Sequence, residues 1–221
     1  TVDVTVNPLP AVNASSSASG VCAGGSVTLS ATGASTYDWQ PVNQTGASVT
    51  DIPAAQTTYT VTGTDANGCV NTSTVTVDVY AAPAISITGN NNICLGDSVS
   101  LTAAGGNTYS WQPGGQTTTT ITDSPAATTT YTVTGVDVNG CSGTATQTVN
   151  VATPPATPSI TVNGSLLTST VTGSSYQWFL NGTPIAGATS QSYTATQNGN
   201  FTVEVYDAAG CGSGQSSAVA D

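Results

Sequence analysis

Apolar and polar residues alternate with a period of two through most of this chain. In residues 57–69, Tyr59, Val61 and Gly63 alternate with Thr58, Thr60, Thr62 and Thr64, the pattern of a strand with one buried and one wet face. Asn67-Gly68 follows and predicts a type I′ hairpin turn, because both residues tolerate positive φ. Residues 74–79 then read as the returning strand. Upstream, Val27, Leu29 and Ala31 point inward from a strand over 26–31. Tyr37 and Trp39 share one face of the next, and a shorter strand over 47–52 is closed by Pro53. Ahead of these, Pro8-Leu-Pro10 reads as a stiff linker entering the first strand, and residues 13–20 are rich in serine.

The same pattern returns at a fixed interval. Cys22 to Cys94, Trp39 to Trp111, Tyr59 to Tyr131 and Cys69 to Cys141 are each 72 residues apart. A fixed period of this length marks copies of one folding unit. Residues 7–80 form the first repeat and 81–152 the second. A proline-rich linker, 153–158, leads to a third, altered repeat over 159–221. It keeps Tyr176 and Trp178, puts Phe201 in the place of the strand tyrosine and adds a second hairpin signal at Asn181-Gly182. Residues 1–6 alternate as 74–79 do and read as the last strand of a preceding repeat. The chain is therefore expected to be a processed or excised piece of a longer array.

About seven short strands per repeat, closely spaced turn signals and a central tryptophan predict a β-sandwich of immunoglobulin type. The expected fold is all-β, a tandem array of three such domains. Three segments of the second repeat, 93–101, Tyr109-Ser-Trp111-Gln-Pro113-Gly114 and 129–141, resemble the Ig-like or PKD-like repeats of Bacteroidetes surface proteins. The third repeat, through Tyr176-Gln-Trp178-Phe-Leu180-Asn181-Gly182, is similar to the Ig-like module that often precedes a type IX secretion sorting domain. The resemblance implies export, display at the cell surface and a gliding- or adhesin-type, non-catalytic role.

Charge narrows the choice of partners. The chain has no Lys, Arg or His, and 11 acidic residues give a net charge of −11. Phosphate binding needs cations, so nucleic acid is excluded, as is attraction to anionic membranes. No apolar run is long enough to insert into a bilayer. Without a His base, a Schiff-base lysine or a cationic oxyanion clamp, nucleophilic catalysis has no machinery. The carboxylates stand singly at turns and strand ends, whereas glycoside hydrolysis needs two facing each other. No enzyme activity and no cofactor are expected.

Five cysteines leave one unpaired. In a sandwich of this type Cys22 and Cys94, ahead of the second strand, lie at the opposite end from Cys69, Cys141 and Cys211, which follow the last turn. A bond needs Cα atoms within roughly 7 Å. Head-to-tail stacking then predicts Cys22–Cys141 and Cys94–Cys211, with Cys69 paired to a preceding repeat or subunit. The alternative closes each domain on itself, Cys22–Cys69 and Cys94–Cys141. Zinc is not expected, since the cysteines are not in close pairs and there is no histidine.

Asp65, Asp137 and Asp207 precede the last turn of each repeat. They read as turn residues bonding local backbone, or alternatively as Ca²⁺ ligands at a junction. Trp39, Trp111 and Trp178 read as core. Ser98, within Asp97-Ser98-Val99, resembles a short glycosylation motif. Thr1, Val2, Asp3, Val4, Thr5 and Val6 could complete the sheet of a neighbouring subunit by strand addition. The expected function is structural or adhesive, a stalk or filament segment outside the cell whose main partner is itself. The alternative is a glycan- or protein-binding module acting through a loop end of the third repeat, a reading supported by that repeat's divergence, with Phe179, Tyr193 and Tyr206.

Overall fold

The computed structural model describes Val2 and residues 6–220, and those residues form β-strands and connections without a helix. The first repeat contributes β1 (Asn13–Ser16), β2 (Gly20–Cys22), β3 (Val27–Thr32), β4 (Thr36–Gln40), β5 (Gln44–Thr45), β6 (Ser48–Asp51), β7 (Thr57–Thr64) and β8 (Val70–Tyr80). They make two sheets, ordered β1-β3-β6 and β2-β8-β7-β4-β5. The two inner faces meet as the alternation requires. Val27, Leu29 and Ala31 of β3 and Val49 of β6 pack with Trp39, Tyr59, Val61 and Val77 of the other sheet. Burying each larger apolar side chain contributes roughly 1.5–3 kcal/mol. The all-β, immunoglobulin-like sandwich read from the sequence is the observed fold.

The first strand entered from the Pro8–Pro10 linker lies in the serine-rich stretch. That stretch holds β1, which pairs antiparallel with β3, and then crosses to the other sheet as β2, parallel to the end of β8. Its side chains alternate only between exposed and half-buried, so an edge strand there carries no hydrophobic signature.

The second repeat repeats the plan with β9 (Ser86–Gly89), β10 (Asn92–Cys94), β11 (Val99–Ala104), β12 (Thr108–Gln112), β13 (Thr120–Asp123), β14 (Thr129–Val136) and β15 (Ser142–Ala152). Its sheets are ordered β13-β11-β9 and β10-β15-β14-β12. Val99, Leu101, Trp111, Ile121, Tyr131, Val133 and Val149 are buried at the positions matching the first core.

The third repeat comprises β16 (Ile160–Asn163), β17 (Leu166–Ser169), β18 (Ser175–Leu180), β19 (Thr183–Pro184), β20 (Ser192–Thr194), β21 (Asn200–Tyr206) and β22 (Val219–Ala220). Residues 153–159, as the prolines require, carry no strand. The sheets are ordered β16-β17-β20 and β19-β18-β21-β22. Leu167 and Ala195 pack there against Tyr176, Trp178, Phe201, Val203 and Val205. β16 turns directly into β17 through Gly164-Ser165. The sheet-switching strand that ends in Cys22 or Cys94 has no counterpart, and neither does its cysteine.

By compactness the chain divides into two units. One is Thr1–Ile85 with Gly105–Thr108 and Thr134–Gly143; the other is Ser86–Ala104, Tyr109–Val133 and Thr144–Asp221.

Candidate functional site

The feature that recurs with the repeat is a turn ending in cysteine. At 65–69 the Asp65 amide donates to Cys69 O at 3.0 Å and the Gly68 amide to Asp65 O at 3.1 Å. Asp65 Oδ1 accepts the amides of Asn67 and Cys69, both at 2.8 Å. Asp137 Oδ1 does the same for Asn139 and Cys141 at 2.9 Å, and Asp207 Oδ1 for Ala209 and Cys211 at 2.9 and 2.8 Å. Gly68, Gly140 and Gly210 take φ of 82°, 82° and 85°.

The expected type I′ turn is therefore not the one formed. Asn67 and Asn139 are outside the left-handed region, and the loop is a three-residue turn closed by glycine. The aspartate ahead of it decides this, by offering the amides two and four residues on a common acceptor. The two-residue turn with both residues at positive φ occurs in the third repeat instead, at Asn181 (φ 50°) and Gly182 (φ 80°), between Leu180 and Thr183.

Two of the three turns end in a disulfide. Cys22 is bonded to Cys141 and Cys94 to Cys211, each with Cα atoms 5.5 Å apart. Each bond joins one repeat to the next. The partner side is also repeated. Cys22 ends a strand paired in parallel with Asp78–Tyr80, and Cys94 one paired with Asn150–Ala152. The amides of Ala23 and Leu95 each donate at 2.8 Å to the last carbonyl of that neighbouring strand. A tight turn follows, with Gly25 N to Cys22 O at 2.7 Å and Asp97 N to Cys94 O at 3.0 Å, around Gly24 and Gly96 at positive φ.

The alternative pairings, Cys22–Cys69 and Cys94–Cys141, do not form. Cys22 lies opposite Tyr80 at one end of β8. Cys69 immediately precedes Val70 at the other end. Ten residues of strand separate the two ends, about 33 Å. Cys69 is the free cysteine and is partly exposed, whereas Cys141 and Cys211 are each 1% exposed.

The aspartates act on local backbone. Among the described residues no group of three or more His, Cys, Asp or Glu gathers. Trp39, Trp111 and Trp178 are fully buried, and each indole N–H donates to a backbone carbonyl, of Gly46, Thr118 and Ser190.

A feature not read from the sequence is a tyrosine–carboxylate pair. The hydroxyls of Tyr59 and Tyr131 donate to Asp51 and Asp123, both at 2.6 Å. Burial first, then the hydrogen bond and charge of the carboxylate, push each phenol up to about 12. The recurrence of Asp eight residues ahead of each strand tyrosine was the available signal. The third repeat drops both partners together. Phe201 replaces the tyrosine, and Ala195, whose amide bonds Ser165 O at 2.8 Å, takes the aspartate's place in the register.

Ser98 is exposed and lines a half-open groove of about 460 Å³ beside Cys94, with Asn90, Asn92, Asp97 and Asn150. Of the third-repeat aromatics named from sequence, Tyr206 and Tyr193 are half-buried and Phe179 is buried. Phe179 is 8% exposed, and Tyr193 packs between Trp178 and Phe201 with ring centroids 6.0 and 5.9 Å away. Of the proposed donor strand, Thr1, Asp3, Val4 and Thr5 lie outside the described residues, while Val2 and Val6 are exposed. Among the described residues no helix is long and apolar enough to cross a membrane.

No known family model matches the chain, and no curated protein matches it. Among solved structures it is similar to a Ca²⁺-stabilized adhesin with which an Antarctic bacterium binds ice. The identity is 19%, over 96% of this chain and 74% of that one, with a TM-score of 0.45. A bacterial ice-binding adhesin retained at the host cell surface gives 18% identity over 96% of each chain and a TM-score of 0.38. An I-band fragment of titin gives 11% identity over 96% of this chain and 98% of that one, with a TM-score of 0.43. At these values the likeness assigns nothing to this chain. The immunoglobulin-like assignment rests on its own strand order and core.

Proposed function

We propose that this chain is a non-catalytic segment of an extracellular structural or adhesive array, built to resist extension. The observation that carries the reading is that both disulfides link successive repeats and none closes a domain on itself. Disulfides persist in oxidising compartments, which supports a place outside the cytosol. The resemblance to Bacteroidetes surface repeats supports display at the cell surface after type IX secretion.

The covalent topology has a mechanical consequence. A pull on the two ends passes from Cys22 directly to Cys141 across a bond that bridges a 119-residue separation. Between that bond and Cys94–Cys211 three covalent routes run side by side, 22–94, 94–141 and 141–211, and 94–141 is the shortest. A domain that unfolds therefore releases little length. Self-association into a fibre, with residues 1–6 adding to a sheet edge of a second copy, is the finer part of the proposal. It is supported by the lack of any lysine to guard those edges.

Single-molecule stretching tests the mechanical reading. Reduction is expected to lengthen the fully extended chain by roughly 470 Å, at about 3.4 Å per residue released. Equal extension with and without reductant would overturn it. Light scattering over a wide concentration range, with and without residues 1–6, tests the fibre: growth only when they are present supports it, and monomers in both cases oppose it.

A further inference from the structure

Cys69 stands in a turn whose hydrogen bonds match those at Cys141 and Cys211 within about a tenth of an ångström. Those two turns each hold a partner cysteine, and each cysteine is closed off from solvent by it. The thiol of Cys69 is still partly open. What points to a ligand is thus the pair of equivalent turns that already hold one. We infer that Cys69 is a covalent docking site for a Cys-x-Gly turn at the end of a strand, presented by a further segment of this same repeat design. The inference rests on the array reading and names its next partner.

The approach of the chain to this site agrees. Residues 10–12 enter the first repeat as residues 83–85 enter the second. The carbonyl of Ala11 lies over Gly33 and that of Ala84 over Gly105, so close that a Cβ at either glycine would sit 2.0 or 2.1 Å from the oxygen. The Asn71 side chain donates to Pro10 O at 2.9 Å, and Gly143, at the matching position, lies against Pro83 O.

A second copy of this chain is the wrong partner. Its Cys22 and Cys94, the two cysteines in Cys-x-Gly turns, are already bonded. It offers only its own Cys69, which sits in the aspartate turn, and one free thiol per chain would stop such linkage at a dimer. Forming the bond removes two protons and two electrons from two thiols. Oxidised glutathione takes them up and leaves as two molecules of the reduced form.

The test supplies such a segment from this chain's own sequence. An additional first repeat, carrying Cys69→Ser, is placed ahead of the chain at either of two joints, the second of which replaces residues 1–12. In one, residues 7–73 precede Thr1, so that 1–6 takes the place of 74–79. In the other, residues 7–85 run into Asn13. After oxidation in a glutathione buffer, free thiol is expected to fall from about one per native chain to none per extended chain. Peptide mapping should link the added Cys22 to Cys69. Two free thiols in both extended chains, a glutathione adduct on Cys69 or a Cys69–Cys69 dimer would overturn the docking site. The same map scores Cys22–Cys141 and Cys94–Cys211, so failure of the docking site and failure of the array reading are told apart.

Discussion

Tyr59 and Tyr131 each hold a phenol against a carboxylate in a buried setting, and both are pushed up to about 12. An unfolded tyrosine ionises near pH 10. The folded state therefore keeps its proton where the unfolded state has lost it. The stabilisation is fully present below about pH 10 and is lost as pH rises toward 12. Urea denaturation across this range is expected to show that loss, and the double variant Y59F/Y131F to flatten it. A profile unchanged by the double variant would contradict the assignment. At the aspartate turns the same scale gives a second expectation. Asp137→Ala leaves the amides of Asn139 and Cys141, one exposed and one part-buried, without their acceptor and should cost about 0.5–1.5 kcal/mol. Asp137→Asn keeps an acceptor oxygen and should cost clearly less in the same denaturation assay.

Among the elements, the last strand of the third repeat departs most from its counterparts. Along β7 and β8 the register is constant, from Thr57 opposite Val77 to Thr64 opposite Val70. Along β21 it slips by two residues, because Ser213 bonds Val205, Ser216 bonds Val203 and Val219 lies opposite Phe201. Val205 and Val203 accept main-chain amides from the two serines but donate their own amides to the serine hydroxyls, both at 3.0 Å. Ser213→Ala and Ser216→Ala should each cost about 1–3 kcal/mol by orphaning a buried amide. Hydrogen exchange should show the amides of Val205 and Val203, respectively, losing protection. This strand was invisible to pattern reading, since its ladder is partly made by side chains and its sequence is small and polar. Strands with a buried face, such as β3, β7 and β11, were legible because alternate residues there must leave water. β1 and β2 were not, being edge segments whose serines bury little. The tryptophans were legible from their spacing. The conformation of the Asn-Gly turns was not, because the aspartate two residues earlier overrides the local preference.

At the level of the whole molecule, the account holds that successive repeats are fastened to each other covalently. The position of each cysteine relative to the strand order was enough to favour that arrangement from sequence. The absence of an early cysteine in the third repeat follows from its missing sheet-switching strand. Cys141→Ser should lower the thermal midpoint, since closing so long a loop contributes roughly 2–4 kcal/mol. The direct test of the central claim is peptide mapping of the purified chain under non-reducing conditions. A protease other than trypsin is needed, because there is no Lys or Arg to cut at. The account expects peptides joining Cys22 to Cys141 and Cys94 to Cys211, with Cys69 in neither. Peptides joining Cys22 to Cys69 and Cys94 to Cys141 would contradict it.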